Sequence, residues 1–174
     1  KQEGLVAKLL QKNADIKFLI KQKALIFCIE NQLDQSIILL IKHHYPLDET
    51  NLKDDPALIL AIKIGNIQAA SLLLTHGANP NLRDSQNMSA LHYAARFNQH
   101  KLARQLLQNG ADLYAATPDG LLPLDYANPE TEVYILLQNR MSSENDQNRF
   151  FRKRRELTRI VENEEPSAKR QKNQ

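Results

Sequence analysis

Ser89-Ala90-Leu91-His92 is the clearest copy of a motif that this chain carries four times. The other copies are Lys23-Ala24-Leu25-Ile26, Pro56-Ala57-Leu58-Ile59 and Leu122-Pro123-Leu124-Asp125. Their first residues stand at 23, 56, 89 and 122, so each step is 33 residues (56−23, 89−56, 122−89). A fixed period of this size means stacked supersecondary units rather than one globular core. In the third copy Ser89 reads as a helix N-cap, whose hydroxyl accepts from the free amides of the first turn. Leu91, Ala94 and Ala95 then form an apolar stripe at helical spacing. After a polar break at Asn98-Gln99, Leu102, Ala103, Leu106 and Leu107 mark a second helix. It ends at Gly110, where a left-handed C-cap suits glycine. The second stripe recurs as Ser36, Ile37, Leu40, Ile41 and as Ala69, Ala70, Leu73, Leu74. Turn formers fill the joins, at Asn79-Pro80-Asn81, Asp84-Ser85-Gln86-Asn87 and Thr117-Pro118-Asp119-Gly120. The expected fold is an all-α solenoid, each unit reading helix, turn, helix and protruding hairpin loop.

These units resemble the ankyrin-repeat family. The residues that carry the resemblance are Asp84, Ser89-Ala90-Leu91-His92-Tyr93-Ala94-Ala95, Leu73-Leu74-Thr75-His76-Gly77-Ala78-Asn79 and Leu106-Leu107-Gln108-Asn109-Gly110-Ala111-Asp112. Period, helix pattern and glycine positions agree over about residues 3–140. Two units depart from the pattern. The first has His44-Tyr45 where the second and third have glycine, and the fourth starts its second helix, near Glu132, about three residues early. Edge units of an array often depart in this way, because one face sees solvent. The predicted layout is an array over 1–140, with a partial unit at 1–17 and full units near 18–50, 51–83, 84–116 and 117–140. A linker at 141–149 and a basic tail at 150–174, with a helix over 150–163, complete it.

Composition narrows the function classes. The chain has 174 residues and 42% hydrophobic residues, ordinary for a water-soluble array. Its longest purely aliphatic run, Ile37 to Ile41, is far short of the roughly 20 residues a membrane helix needs. It opens at Lys1 without methionine, which reads as a piece of something longer. The single cysteine, Cys28, sits in the apolar run Leu25 to Ile29 and reads as a small buried hydrophobe, not a nucleophile. His92 fits the family's helix-opening position, and His76 precedes a C-cap glycine. No Cys/His or carboxylate cluster has metal-ligand spacing, and no phosphate loop or nucleophile elbow is present. No catalytic role, cofactor or metal is therefore expected of this segment.

The charge is unevenly placed. The chain holds 23 Lys+Arg and 20 Asp+Glu. From Met141 onward there are 9 basic and 6 acidic residues, which leaves 14 of each sign (23−9 and 20−6) in the body. A neutral body argues against general nucleic-acid binding. The tail carries Arg152-Lys153-Arg154-Arg155 and, after a thirteen-residue spacer (156 to 168), Lys169-Arg170-Gln171-Lys172. Two such clusters resemble a bipartite nuclear-import signal, which implies an import receptor as one partner and the nucleus as the location. The bland reading is a solvated charged end.

The resemblance implies a protein partner held by a monomeric array on a concave wall of loop tips and inner-helix faces. On this sequence that wall maps to Lys63, Ile64, Asp84, Ser85, Gln86, Met88, Arg96, Phe97 and Asp119. Ile64 and Phe97 are the informative pair. Bulky apolar residues where the template expects solvent, one beside an arginine, suit an interface anchor, although singly exposed apolar residues are common. The second reading is the substrate-recognition region of an enzyme, such as a chromatin-modifying methyltransferase, whose catalytic domain lies upstream of Lys1. The wealth of Asn, Gln, Lys and Ile also resembles effectors that intracellular bacteria deliver into host cells. The architecture itself is exposed to one test. Leu91→Asp puts an unpaired charge in the best unit, at a cost of about 4 kcal/mol or more. It is expected to unfold units two to four together, and an unchanged thermal melt would overturn the solenoid.

Overall fold

The computed structural model describes Leu19 and residues 23–142. The partial unit at 1–17, the tail helix and both basic clusters lie outside these residues. Among the described residues, seven α-helices and one 3-10 turn follow one another in pairs between Ala24 and Met141. The first unit holds α1 (Ala24–Glu30) and α2 (Asp34–Lys42). The second holds α3 (Ala57–Lys63) and α4 (Ile67–Thr75), the third α5 (Ala90–Arg96) and α6 (His100–Gln108). In the fourth the inner element is only the 3-10 turn Pro123–Tyr126, followed by α7 (Glu132–Met141).

Inner helices of seven residues are about 10 Å long. Helices so short do not persist alone in water, so packing must hold them. Each packs against its own outer helix and against the inner helix of the next unit. The outer helices stack on one another in a second layer. One continuous core results. Leu25, Leu58 and Leu91 repeat at its centre, and Leu73 and Leu106 do so under the outer layer. Small residues let the inner helices approach. Cys28, Ala61, Ala94 and Ala127 occupy one position at 33-residue steps, and all are buried. Cys28 is thus a stand-in for alanine, and burial pushes its thiol up to about 11, away from thiolate chemistry.

Positive φ recurs with the period at three places in the repeat, all three present in the second and third units and only the loop position in the fourth; Lys23, outside this register, also adopts it. Gln32, Gly65 and Asn98 end the inner helices. His44, Gly77 and Gly110 end the outer ones. Asp54, Asn87 and Gly120 turn the loops. The missing glycine of the first unit is therefore a change of residue without a change of backbone, since His44 has φ 55° where Gly77 has 91°.

The fourth unit departs most. Its second helix starts at Glu132, 32 residues after His100, and its buried pair Val133/Leu137 follows Leu102/Leu106 by 31 instead of 33, so the helix is shifted early by one to two residues. Asn128-Pro129 halts the inner element, because the residue before proline avoids the helical region. Helix α7 also runs through a buried Met141, one residue past the expected end of the array.

Left-handed backbone costs a non-glycine residue about 1 kcal/mol. His44→Gly is expected to raise stability by about 0.5 kcal/mol after the greater freedom of the unfolded glycine is subtracted. A urea titration should show a higher midpoint with an unchanged slope.

Candidate functional wall

The loops between units are closed by a shared device. Asn51, Asp84 and Thr117, at 33-residue steps, each turn a side-chain oxygen back on their own loop. Asn51 Oδ1 accepts from the amides of Lys53 and Asp55 at 2.8 and 2.9 Å. Asp84 Oδ1 accepts from Gln86 and Met88, both at 3.0 Å. Thr117 Oγ1 accepts from Leu121 at 3.2 Å. Single antiparallel bridges, Thr50 to Pro56 and Arg83 to Ser89, close the second- and third-unit loops. Short polar side chains that mimic a turn suit these places.

The exposed stripe of each inner helix runs at i, i+3, i+4. In the first unit it is Phe27, Glu30 and Asn31, all exposed. In the second, Leu60 is buried, Lys63 half-buried and Ile64 exposed. In the third, Tyr93 is buried and Arg96 and Phe97 are exposed. The structure leaves Ile64, Arg96, Phe97, Ser85, Gln86 and Asp119 accessible on loops and at inner-helix ends. Two residues expected at the loop tip are instead buried. Asp84 is 7% exposed and Met88 4%. The period explains both: Asp84 is the brace of its loop, and Met88 enters the core beside it.

Lys63 is also committed internally. Its Nζ donates to Asp55 Oδ1 at 2.6 Å and to Asp84 Oδ2 at 2.8 Å. It lies 4.8 Å from the centre of the Tyr93 ring, close enough for a cation–π contact. Tyr93 donates its hydroxyl to Asp84 Oδ2 at 2.6 Å and to Gln86 Oε1 at 3.3 Å. Burial works against the ammonium, but hydrogen bonds to Asp55, Asp84 and Tyr93 outweigh it and hold Lys63 above its ordinary range. Burial also works against the Asp84 carboxylate, and there the bonds from Lys63, Tyr93 and the Met88 amide win, holding its pKa low. Burial, then the bond to Asp84, push Tyr93 up to about 12. Lys63 therefore ties the second loop to the third.

His92 does similar work without charge. The Ser89 amide donates to His92 Nδ1 at 3.1 Å, which places the ring proton on Nε2. Nε2 then donates to the Leu121 carbonyl at 3.4 Å, in the next unit's loop. The ring meets Tyr126 edge-on, with centroids 5.4 Å apart. In the fourth unit Asp125 takes over the cap, accepting from the Leu122 amide at 2.8 Å.

Two apolar members of the wall, Phe27 and Leu121, were missed by the sequence-derived set, and a third, Leu52, is a loop-tip position of the second unit. Leu52 is 94% exposed at the tip of the second loop. With Lys23, Phe27, Glu30 and Lys53 it borders an open groove of about 520 Å³. Their signal was the period itself. Phe27 shares the register of Leu60 and Tyr93, and Leu52 that of Ser85 and Pro118.

A family model described as ankyrin repeats in three copies matches residues 1–84 and 25–117. The chain belongs to the ankyrin-repeat family. Among similar proteins, an ankyrin repeat-containing protein of Treponema pallidum is 39% identical over 54% of this chain and 32% of its own length. Protein phosphatase 1 regulatory subunit 27 of Mus musculus is 38% identical over 42% of this chain and 48% of that protein. The crystal structure of the ankyrin repeat domain of Bcl-3 matches with a TM-score of 0.61 and 28% identity. That match covers 66% of this chain and 50% of the other. The chain thus spans a third to a half of the length of the first two relatives. Like the family, this array is a protein-interaction module. Among the described residues no group of three or more His, Cys, Asp or Glu could hold a metal ion. No described helix is long and apolar enough to cross a membrane.

The buried imidazole of His92 makes the array acid-sensitive. Burial pushes it down to about 4, against an ordinary value of 6.5. As pH falls, the unfolded chain takes up this proton first. The stability that depends on neutral His92 is full above about 6.5 and is lost towards about 4, up to about 3 kcal/mol. Urea midpoints of the chain should fall over that window. His92→Asn, which keeps an acceptor but cannot titrate there, should fall distinctly less.

Proposed function

We propose that this array holds a protein partner on the wall formed by its loop tips and inner helices, with Ile64 and Phe97 as apolar anchors and Arg96 beside them. One observation carries the reading. Of the seven large apolar residues exposed among the described ones, Phe27, Leu52, Ile64, Phe97 and Leu121 stand on loops or inner-helix stripes, and only Ile67 and Ile135 do not. A random surface would scatter them. An interface gathers aromatic and aliphatic side chains at its centre, with arginine among them. Ser85, Gln86 and Asp119 would supply the polar rim. The name of the phosphatase relative, a regulatory subunit, fits a role exercised through binding.

The tail supports a second part of the proposal, a nuclear address. Its support is the pair of basic clusters, Arg152 to Arg155 and Lys169 to Lys172. An import receptor would take these lysines and arginines in acidic grooves. The neutral array would carry the cargo-specific contact.

The test is a pull-down from cell lysate with mass spectrometry and three baits: the intact chain, Arg96→Ala with Phe97→Ala, and a chain ending at Ser142. A hot-spot pair of this kind should weaken capture by about 10-fold or more. Prey lost with the double substitution but kept by the shortened chain support the wall. Prey lost only with the tail, and identified as import receptors, support the address and count against the wall.

A further inference from the structure

The inner helices end in three equivalent slots, Glu30, Lys63 and Arg96, spaced by the repeat. The middle slot is filled from within. Asp55, eight positions before Lys63, and Asp84, twenty-one after it, place carboxylate oxygens 2.6 and 2.8 Å from its ammonium. One period on, Lys63 becomes Arg96, Asp55 becomes Met88 and Asp84 becomes Thr117. The cation persists and both acids are gone. Met88 and Thr117 are buried. Among the described residues the ion pairs involve only Lys63 and His100, so no acid lies within 4 Å of the Arg96 guanidinium. Arg96 is exposed, and so is the ring of Phe97 that follows it.

A guanidinium presents two parallel donors that match a carboxylate. The neighbouring slot shows, within the same fold, that a carboxylate reaches a cation at this position. We infer that the partner supplies the missing group, in a segment whose acidic side chain pairs with Arg96 while an adjacent apolar side chain packs on Phe97 and Ile64. The first slot gives the segment its direction. Glu30 is exposed there and would repel the same acid, so the acidic end belongs over the third unit and not the first. This inference rests on the wall being the binding surface.

The test uses the full chain and a phage-displayed library of random short peptides. Selected peptides are synthesised, and their affinities measured by fluorescence anisotropy. The expected peptides carry Asp or Glu next to Leu, Ile or Phe. Arg96→Glu should weaken them by about 10-fold or more, and exchanging the peptide's acid for lysine should restore most of that loss on the variant. Because Arg96 is exposed, the variant should melt like the parent. Peptides without an acid, or acidic peptides weakened by Phe97→Ala but indifferent to Arg96→Glu, would overturn the inference and leave the wall standing. Peptides indifferent to both substitutions, or no binders, would overturn both.

Discussion

Leu25, Leu58 and Leu91 occupy one place in three successive inner helices, and each is at most 3% exposed. None of the units that hold them could bury its own leucine. A seven-residue helix with one partner leaves a face open, and only the next unit closes it. The seam between neighbours is thus the constraint from which the rest follows. It demands a small residue where inner helices touch, which is why alanine recurs and Cys28 can replace it. It demands abrupt reversals of the chain, which is why three places in the repeat take positive φ in the second and third units whatever residue stands there.

The polar groups obey the same seam. Asp48 and Asn81, one period apart, accept the amides of Asn79 and Asp112 in the following unit at 2.9 and 2.7 Å. Lys63 joins two loops, and His92 reaches the loop after its own. Buried polar groups left alone would be costly. Lys63, Asp84 and His92 find partners in a neighbouring unit, which ties the loops to one another, while among the described residues Glu49 Oε2 and Gln99 Oε1 are buried without a hydrogen-bond partner. A binding wall made of such loops is largely preorganised, and a partner would pay little to order it.

This arrangement also separates the residues that hold the wall from those that can meet a partner. Asp84, Lys63 and Tyr93 hold it, because their charges and hydroxyl are spent on one another. Ile64, Arg96 and Phe97 remain open. The change from Asp55 to Met88 and from Asp84 to Thr117 is enough to move a cation from the first group to the second.

Much of this was legible in the chain alone. The 33-residue period, the leucine and alanine stripes and the glycines determine the solenoid, because periodic packing must leave a periodic sequence. The exposed register of Ile64, Arg96 and Phe97 follows from the same periodicity. Other features needed the tertiary structure. That Asp84 and Met88 turn inward and that His44 keeps a glycine's backbone is seen only in the folded loops and helix ends, and that Lys63 is paired is decided by Asp55 and Asp84, 8 and 21 positions away. A local pattern records which face a residue occupies. It does not record whether a charge on that face already has a partner, because that depends on side chains brought together only when the units stack.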